Sequence, residues 1–192
     1  MKLNPEHYRR RSIRLKGYDY LQSGAYFVTI CAHNRECLFG DVTGGEMRCN
    51  EYGEIVRQEW FKTAEIRPYV RLDETEFVVM PNHVHGIIWI TDDDVGARRR
   101  RVPTIEQFGK PVCDSIPTII RAFKSIVTRR INQIRDTPGA LAWQSNYYEH
   151  IIRNEESVNR IRQYIADNPR HWAFDRENPD VRESNFETHG EI

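Results

Sequence analysis

His83 and His85 stand one residue apart in Phe77-Val-Val-Met-Pro-Asn-His-Val-His-Gly-Ile-Ile-Trp-Ile90. Side chains two apart on a β-strand point to the same face, so the two imidazoles aim into one space. Two neutral imidazoles that converge are half of a divalent-metal site. Val84, Ile87, Ile88, Trp89 and Ile90 make this a buried strand, which takes the histidines off the loose surface. A second pair, Tyr164 and Asn168, lies on a helix expected over residues 154–168. At about 100° per residue, Val158, Ile161 and Ile165 form that helix's core stripe. Tyr164 falls about 60° from Ile161 and about 40° from Asn168. Neighbours at i, i+4 act together, so a phenol and a carboxamide project from one edge of the buried face. If the helix packs on the sheet that carries the histidines, all four groups converge. Two imidazoles and an amide oxygen leave open positions on Mg²⁺ or Mn²⁺ for a phosphate oxygen, which the ion polarises. The phenol can then attack phosphorus and form a phosphotyrosine. Its free pKa is about 10, so it needs help to lose its proton.

The elements that must position these residues are readable in outline. A chain of 192 residues fits one domain, with or without tails, and can bury a real core without disulfides. Cys31, Cys37, Cys49 and Cys113 make no Cys-x-x-Cys pair, which argues against structural zinc and against a disulfide framework. No apolar run is long enough to cross a membrane, and the N-terminus lacks a signal peptide's apolar core, so a cytoplasmic protein is expected. Formal net charge is zero, against a nonspecific nucleic-acid coat. The charge is uneven, however. Arg9, Arg10, Arg11, Arg14 and Lys16 cluster near the start, residues 98–101 are all Arg, and Arg121, Lys124, Arg129, Arg130 and Arg135 share one segment. Such patches either are solvated faces or bind phosphate.

Residues 1–20 read as a basic arm, 21–174 as the domain, and 175–192 as an acidic tail without periodicity, expected to be disordered. Strands are expected at 25–31, 37–40, 70–80 and 84–90, with a hairpin at Pro81-Asn82. Helices are expected at 51–66, capped by Asn50, at 115–135, and from Asn154 to the Asn168-Pro169 stop. The segment 91–111 reads as a loop or insertion. This order suggests an α+β sheet with helices packed on it.

Three motifs carry a family resemblance: Met-Pro-Asn-His83-Val-His85, Tyr147-Tyr-Glu-His-Ile-Ile-Arg153 and Tyr164-Ile-Ala-Asp-Asn168-Pro. They resemble the single-tyrosine HUH transposases, above all the REP-associated tyrosine transposases. Arg11-Ser-Ile-Arg-Leu-Lys-Gly17 and Ala25-Tyr-Phe-Val-Thr-Ile30 are similar to that group's N-terminal region. The resemblance spans roughly residues 8–172. It implies a ferredoxin-like antiparallel sheet, the HUH endonuclease fold, with the histidines on a central strand. It implies metal-dependent cleavage and rejoining of single-stranded DNA near palindromic hairpins, with Tyr164 taking the 5′ phosphate and releasing a 3′ hydroxyl. His83, His85 and Asn168 match the ligands of Mg²⁺ or Mn²⁺. Mobile-element relatives often carry Gln at this last position, and Asn is shorter. The chain would be a monomer or homodimer, nucleoid-associated in a bacterial cell.

Histidine-triad hydrolases need a third histidine where Ile87 stands, and zinc deaminases need a His-x-Glu and paired cysteines. Arg11, Arg14 and Lys16 are candidates to read a hairpin groove, and Arg121, Lys124 and Arg129 to hold a DNA backbone. Trp143, Tyr147 and Tyr148 are core aromatics or base-stacking platforms. His150 is a candidate to orient a metal ligand or to act as general base, or an ordinary buried histidine. Two competing functions remain: a hairpin-binding host protein that no longer cuts, and an RNA-processing metalloenzyme.

Overall fold

The computed structural model describes residues 22–91 and 112–181. The basic arm with Arg11, Arg14 and Lys16, and the segment 92–111, lie outside them. Seven strands and three α-helices are described: β1 Gly24–Cys31, β2 Gly40–Thr43, β3 Glu46–Cys49, α1 Glu51–Ile66, β4 Val70–Arg71, β5 Phe77–Val79, β6 His83–Ile90, α2 Ile116–Ile134, β7 Tyr148–Ile152 and α3 Glu155–Asp167.

The main sheet runs β4-β6-β1-β7, with β5 also paired to β6. Every pairing in it is antiparallel. Setting aside the separate β2–β3 hairpin and α3, and counting β4 and β5 as two pieces of one strand beside β6, the order is the βαββαβ arrangement of a ferredoxin-like fold. The central strands β1 and β6 are the most apolar stretches of the chain, as strands buried on both faces must be. Their register sets Thr29 opposite His85 and Cys31 opposite His83.

The two faces divide the core. Tyr26, Val28, Ile30, Val84 and Ile88 point one way and pack under α1 and α2, through Ile55, Val56, Trp60, Ile119, Ile120, Phe123 and Val127. A fully buried side chain of this size contributes about 1.5–3 kcal/mol. Gly86 belongs to this face. A Cβ there would stand 2.4 Å from the Trp60 ring, so only glycine lets the indole lie against the strand. Alternate residues point the other way: Ala25, Phe27, Ile87 and Ile152 form a smaller cluster with Val158 and Ile165 of α3. The histidines share that second face.

Local chemistry explains the helix starts. Asn50 Oδ1 accepts from the amides of Tyr52 and Gly53 at 2.9 and 3.0 Å. Asn154 Oδ1 accepts from Ser157 N at 2.9 Å. Both caps satisfy amides that have no partner inside a helix. Among the described residues no helix is long and apolar enough to cross a membrane.

Four expectations need correction. The strand expected over 70–80 is interrupted by a 3-10 turn, Glu74–Glu76, because Asp73 Oδ1 captures Thr75 N at 2.8 Å. The strand expected at 37–40 starts instead at Gly40 and leads a hairpin through Gly44 and Gly45, both at positive φ. The aromatic stretch before Ile152 contains a further edge strand, β7, on β1. Asn168-Pro169 ends α3 but not the helical path, which tightens into a 3-10 turn over Asn168–Phe174. Proline is tolerated at the start of such a turn because its missing N–H would have no partner there.

Candidate active site

β6 carries His83 and His85 to the middle of the second face, both buried, at 0% and 3% exposure. Their Nε2 atoms stand 3.0 Å apart. Each Nδ1 has its own partner: Asn82 Oδ1 at 2.8 Å for His83 and Thr29 Oγ1 at 2.8 Å for His85. Asn82 Nδ2 is committed to the carbonyls of Arg35 and Glu177, at 3.0 and 2.6 Å, so its oxygen must face His83. An amide oxygen only accepts, hence His83 Nδ1 carries the proton and its Nε2 presents a lone pair. Burial pushes the pKa of His83 down, with Asp175 and Glu177 opposing. Burial, and then the neighbouring His83, push His85 well below the ordinary histidine value. Both rings are therefore neutral at pH 7, the state a metal ligand requires.

α3 brings Tyr164 to the same nitrogen. Its hydroxyl lies 3.1 Å from His85 Nε2, with the two ring centroids 5.0 Å apart. Phe27 meets the phenol edge-on at 6.1 Å and stacks on His85 at 5.5 Å. Tyr164 keeps 48% exposure, so the phenol faces an open cleft of about 910 Å³. Burial, and then the charge of Asp175, raise its pKa, while Asn168 lowers it. Asn168 bears on both Tyr164 and His83 through its side chain. Its Oδ1 is buried and without a hydrogen-bond partner.

A third candidate ligand comes from a segment read as tail. His83, His85 and Asp175 form a group that can hold a metal ion, with their ligand atoms within 4.8 Å of one another. Asp175 Oδ2 lies 4.0 Å from His83 Nε2. Asp175 and Glu177 both lie past the boundary expected after residue 174. Glu177 pairs with Arg35 and accepts from the Cys31 thiol at 3.6 Å. Burial, and then Glu177, push that thiol up to about 12. The segment is clamped at Glu177 O by Asn82, the residue that orients His83.

The set fits a divalent cation. Two ligand atoms at right angles on an ion, each about 2.1 Å from it, stand about 3.0 Å apart, the observed Nε2 separation. Lone pairs at that distance repel unless a proton or cation lies between them. The partnerless Asn168 oxygen adds a hard donor beside two nitrogens and a carboxylate.

The other expected residues fall elsewhere. His150 is exposed on β7 opposite Phe27 and has no part in orienting the histidines; Thr29 and Asn82 do that work. Trp143 is buried against Phe39 and Phe123, so it is core. Tyr148 is half exposed and lines the cleft. Arg121, Lys124 and Arg129 line a second cleft, of about 930 Å³, between α2 and residues 136–147. Arg121 and Arg129 are exposed there. Lys124 is not free for phosphate. Its ammonium donates to the carbonyls of Gln144, Ser145 and Asn146, which uses all three protons. Both clefts include Gln144 and Tyr147. Thr29 was detectable in the sequence as a polar residue alternating into an apolar strand. Asp175 carried no local signal.

No protein-family model matches the chain. A Haemophilus influenzae protein described as uncharacterized is 43% identical over 182 residues, covering 91% of this chain and 96% of the relative. A second protein of that organism, described as a putative REP-associated tyrosine transposase, is 22% identical over 151 residues, 79% of this chain and 73% of its own length. A solved structure of a REP-associated tyrosine transposase bound to a REP hairpin superposes with a TM-score of 0.53 at 21% identity, over 81% of this chain and 72% of that one. The fold expected from the sequence resemblance is thereby borne out.

Proposed function

This chain belongs to the same family as the uncharacterized Haemophilus influenzae protein and has the fold of the REP-associated tyrosine transposases, and we propose that it is a metal-dependent nuclease and strand transferase for single-stranded DNA beside hairpins. The observation that carries this reading is the meeting at His85 Nε2. The Tyr164 hydroxyl and His83 Nε2 lie 3.1 and 3.0 Å from that one atom.

In this mechanism Tyr164 is the nucleophile. Its oxygen bonds to the phosphorus of a phosphodiester in the cleft, and the bond from phosphorus to the 3′ oxygen breaks. The phenol gives up its proton and the leaving 3′ oxygen gains one. The 5′ phosphate stays on Tyr164, and attack by a 3′ hydroxyl reverses the step, so strands rejoin without ATP. His83, His85, Asp175 and the Asn168 oxygen would hold Mg²⁺ or Mn²⁺, which when bound would supply Lewis-acid polarisation of the phosphate. Phe27 and His85 fix the phenol ring. Arg160 and Arg176 line the cleft, where cations suit the flanking phosphates. The exposed Tyr148 suits base stacking.

Arg121 and Arg129 take the DNA backbone along the second cleft, and Gln144 and Tyr147 join that path to the active site. Arg11, Arg14 and Lys16 remain candidates to read the hairpin. The test is incubation with hairpin-bearing DNA and RNA oligonucleotides in Mg²⁺, Mn²⁺ or EDTA. The proposal predicts cleavage of DNA only, lost in EDTA and restored by either ion. Binding without cleavage in all three would favour a hairpin-binding protein. Cleavage of RNA alone would favour an RNA-processing enzyme.

A further inference from the structure

The helix carrying Tyr164 rests on little apolar surface. Val158 and Ile165 are its buried residues, with Ile161 partly buried beside them. Apolar contact is non-directional, so this footing holds the helix down but leaves its roll poorly fixed. A polar contact on the opposite edge supplies direction. Arg162 Nε and Nη2 donate to Glu76 Oε1 at 2.9 and 2.6 Å. The other oxygen of Glu76 accepts from Trp89 Nε1 at 2.6 Å.

Glu76 is fully buried, at 0% exposure, while the Arg162 side chain is 42% exposed. A buried carboxylate persists only when paired and hydrogen-bonded, and here three N–H groups partner both of its oxygens. Trp89 belongs to β6, the strand of His83 and His85, and shares their face. Glu76 thus ties the helix of the nucleophile to the strand of the histidines. At about 100° per residue, Arg162 lies on one side of the buried stripe, and Tyr164 and Asn168 lie on the other. Rolling the helix by 10° moves an atom about 6 Å from its axis by about 1 Å. A misplacement of that size costs about 100-fold in a reaction.

We infer that Glu76 and Arg162 are positioning residues, a latch that sets the roll of α3 and so holds the Tyr164 hydroxyl against its own chain's metal pair. The inference rests on the proposed function for its kinetic consequence, but not for its geometry. Charge-assisted bonds from a forked guanidinium to one carboxylate are directional, and a lysine cannot reproduce the fork.

The experiment compares the full chain with Arg162→Ala and Arg162→Lys. Arg162→Ala leaves the buried Glu76 without its cation, which is destabilising, so urea unfolding is measured on each variant, and Arg162→Lys, which keeps a cation beside Glu76, carries the test if the alanine variant does not fold. One readout is the rate of covalent adduct formation at saturating hairpin DNA. A second is Mn²⁺ and DNA affinity. A third needs no reaction: the NMR signal of the His85 ring nitrogen that faces the Tyr164 hydroxyl, with Tyr164→Phe as the reference for its loss. The expected result is an adduct rate about 100-fold lower in Arg162→Ala, intermediate in Arg162→Lys, with both affinities unchanged. The His85 signal should move toward its position in Tyr164→Phe. A wild-type rate and an unmoved signal in Arg162→Ala would overturn the latch, as would a rate loss matched by equal loss of Mn²⁺ affinity. No adduct from the unsubstituted protein, with the signal still moving, would overturn the proposed reaction and leave the positioning standing.

Discussion

Asn82 serves two partners that lie far apart in sequence: its Oδ1 takes the Nδ1 proton of His83, and its Nδ2 holds the carbonyl of Glu177 at 2.6 Å. One fully buried side chain therefore fixes the tautomer of a histidine and anchors the segment that delivers Asp175. The turn before β6 and the end of the described chain are coupled through a single amide.

Replacing Asn82 with alanine leaves His83 Nδ1 and two carbonyls without their partner. Each buried polar group left unpaired costs about 1–3 kcal/mol, so Asn82→Ala should destabilise the protein by about 3 kcal/mol or more in urea unfolding. Mn²⁺ affinity should fall about 10–100-fold, the usual consequence of losing a group that orients a ligand. Asn82→Asp keeps the acceptor for His83 but loses the donor, and should retain more of the metal affinity than of the stability.

Asp175→Asn removes a charge 4.0 Å from His83 Nε2 while keeping size. Calorimetric titration of Mn²⁺ should show weaker binding than wild type, with the fold unchanged. Equal affinity in the two proteins would place Asp175 outside the ligand set and leave His83, His85 and Asn168.

The basic cleft separates two kinds of cation. Arg121→Gln with Arg129→Gln should lower the slope of log affinity against log salt by about 2, because each phosphate contact releases about 0.9 counterion. Lys124→Met should leave that slope alone, since its ammonium is spent on three carbonyls. It should instead destabilise the loop 144–146, read as faster amide exchange there. Burial pulls the Lys124 pKa down to about 8, consistent with a group turned inward.

The site was legible where its residues sit inside one periodic element. His83 and His85 follow from strand alternation, and Tyr164 with Asn168 from helical spacing, because those periods are set by the backbone alone. Asn50 and Asn154 were legible as caps for the same reason. Asp175, Glu177 and Lys124 were not. Their roles depend on Arg35, Asn82 and the carbonyls of 144–146, groups brought near only by the fold. An acidic stretch without periodicity reads as a tail whether or not a tertiary contact captures it. A basic helix face reads as phosphate-binding whether or not a loop has claimed one of its lysines. β7 was hidden because an edge strand with mixed exposure lacks the apolar run that marked β1 and β6.

The titration of Tyr164 carries a sign. Burial, and then Asp175, raise its pKa above the ordinary value of 10. The folded protein then holds this proton where the unfolded chain has lost it. The resulting stability is complete below pH about 10 and is lost as pH rises through the folded value. Above pH about 10, wild type should lose more stability with rising pH than Tyr164→Phe, measured by urea unfolding in EDTA.

The central claim is that Tyr164 attacks phosphorus. Its direct test is denaturing electrophoresis of the protein incubated with labelled hairpin DNA and Mn²⁺. Wild type should carry the label through denaturation. Tyr164→Phe, which lacks only the hydroxyl, should bind the same DNA and carry none. A labelled band of equal intensity in Tyr164→Phe would contradict the account and move the nucleophile to another residue, with the half-exposed Tyr148 in the same cleft the next to test.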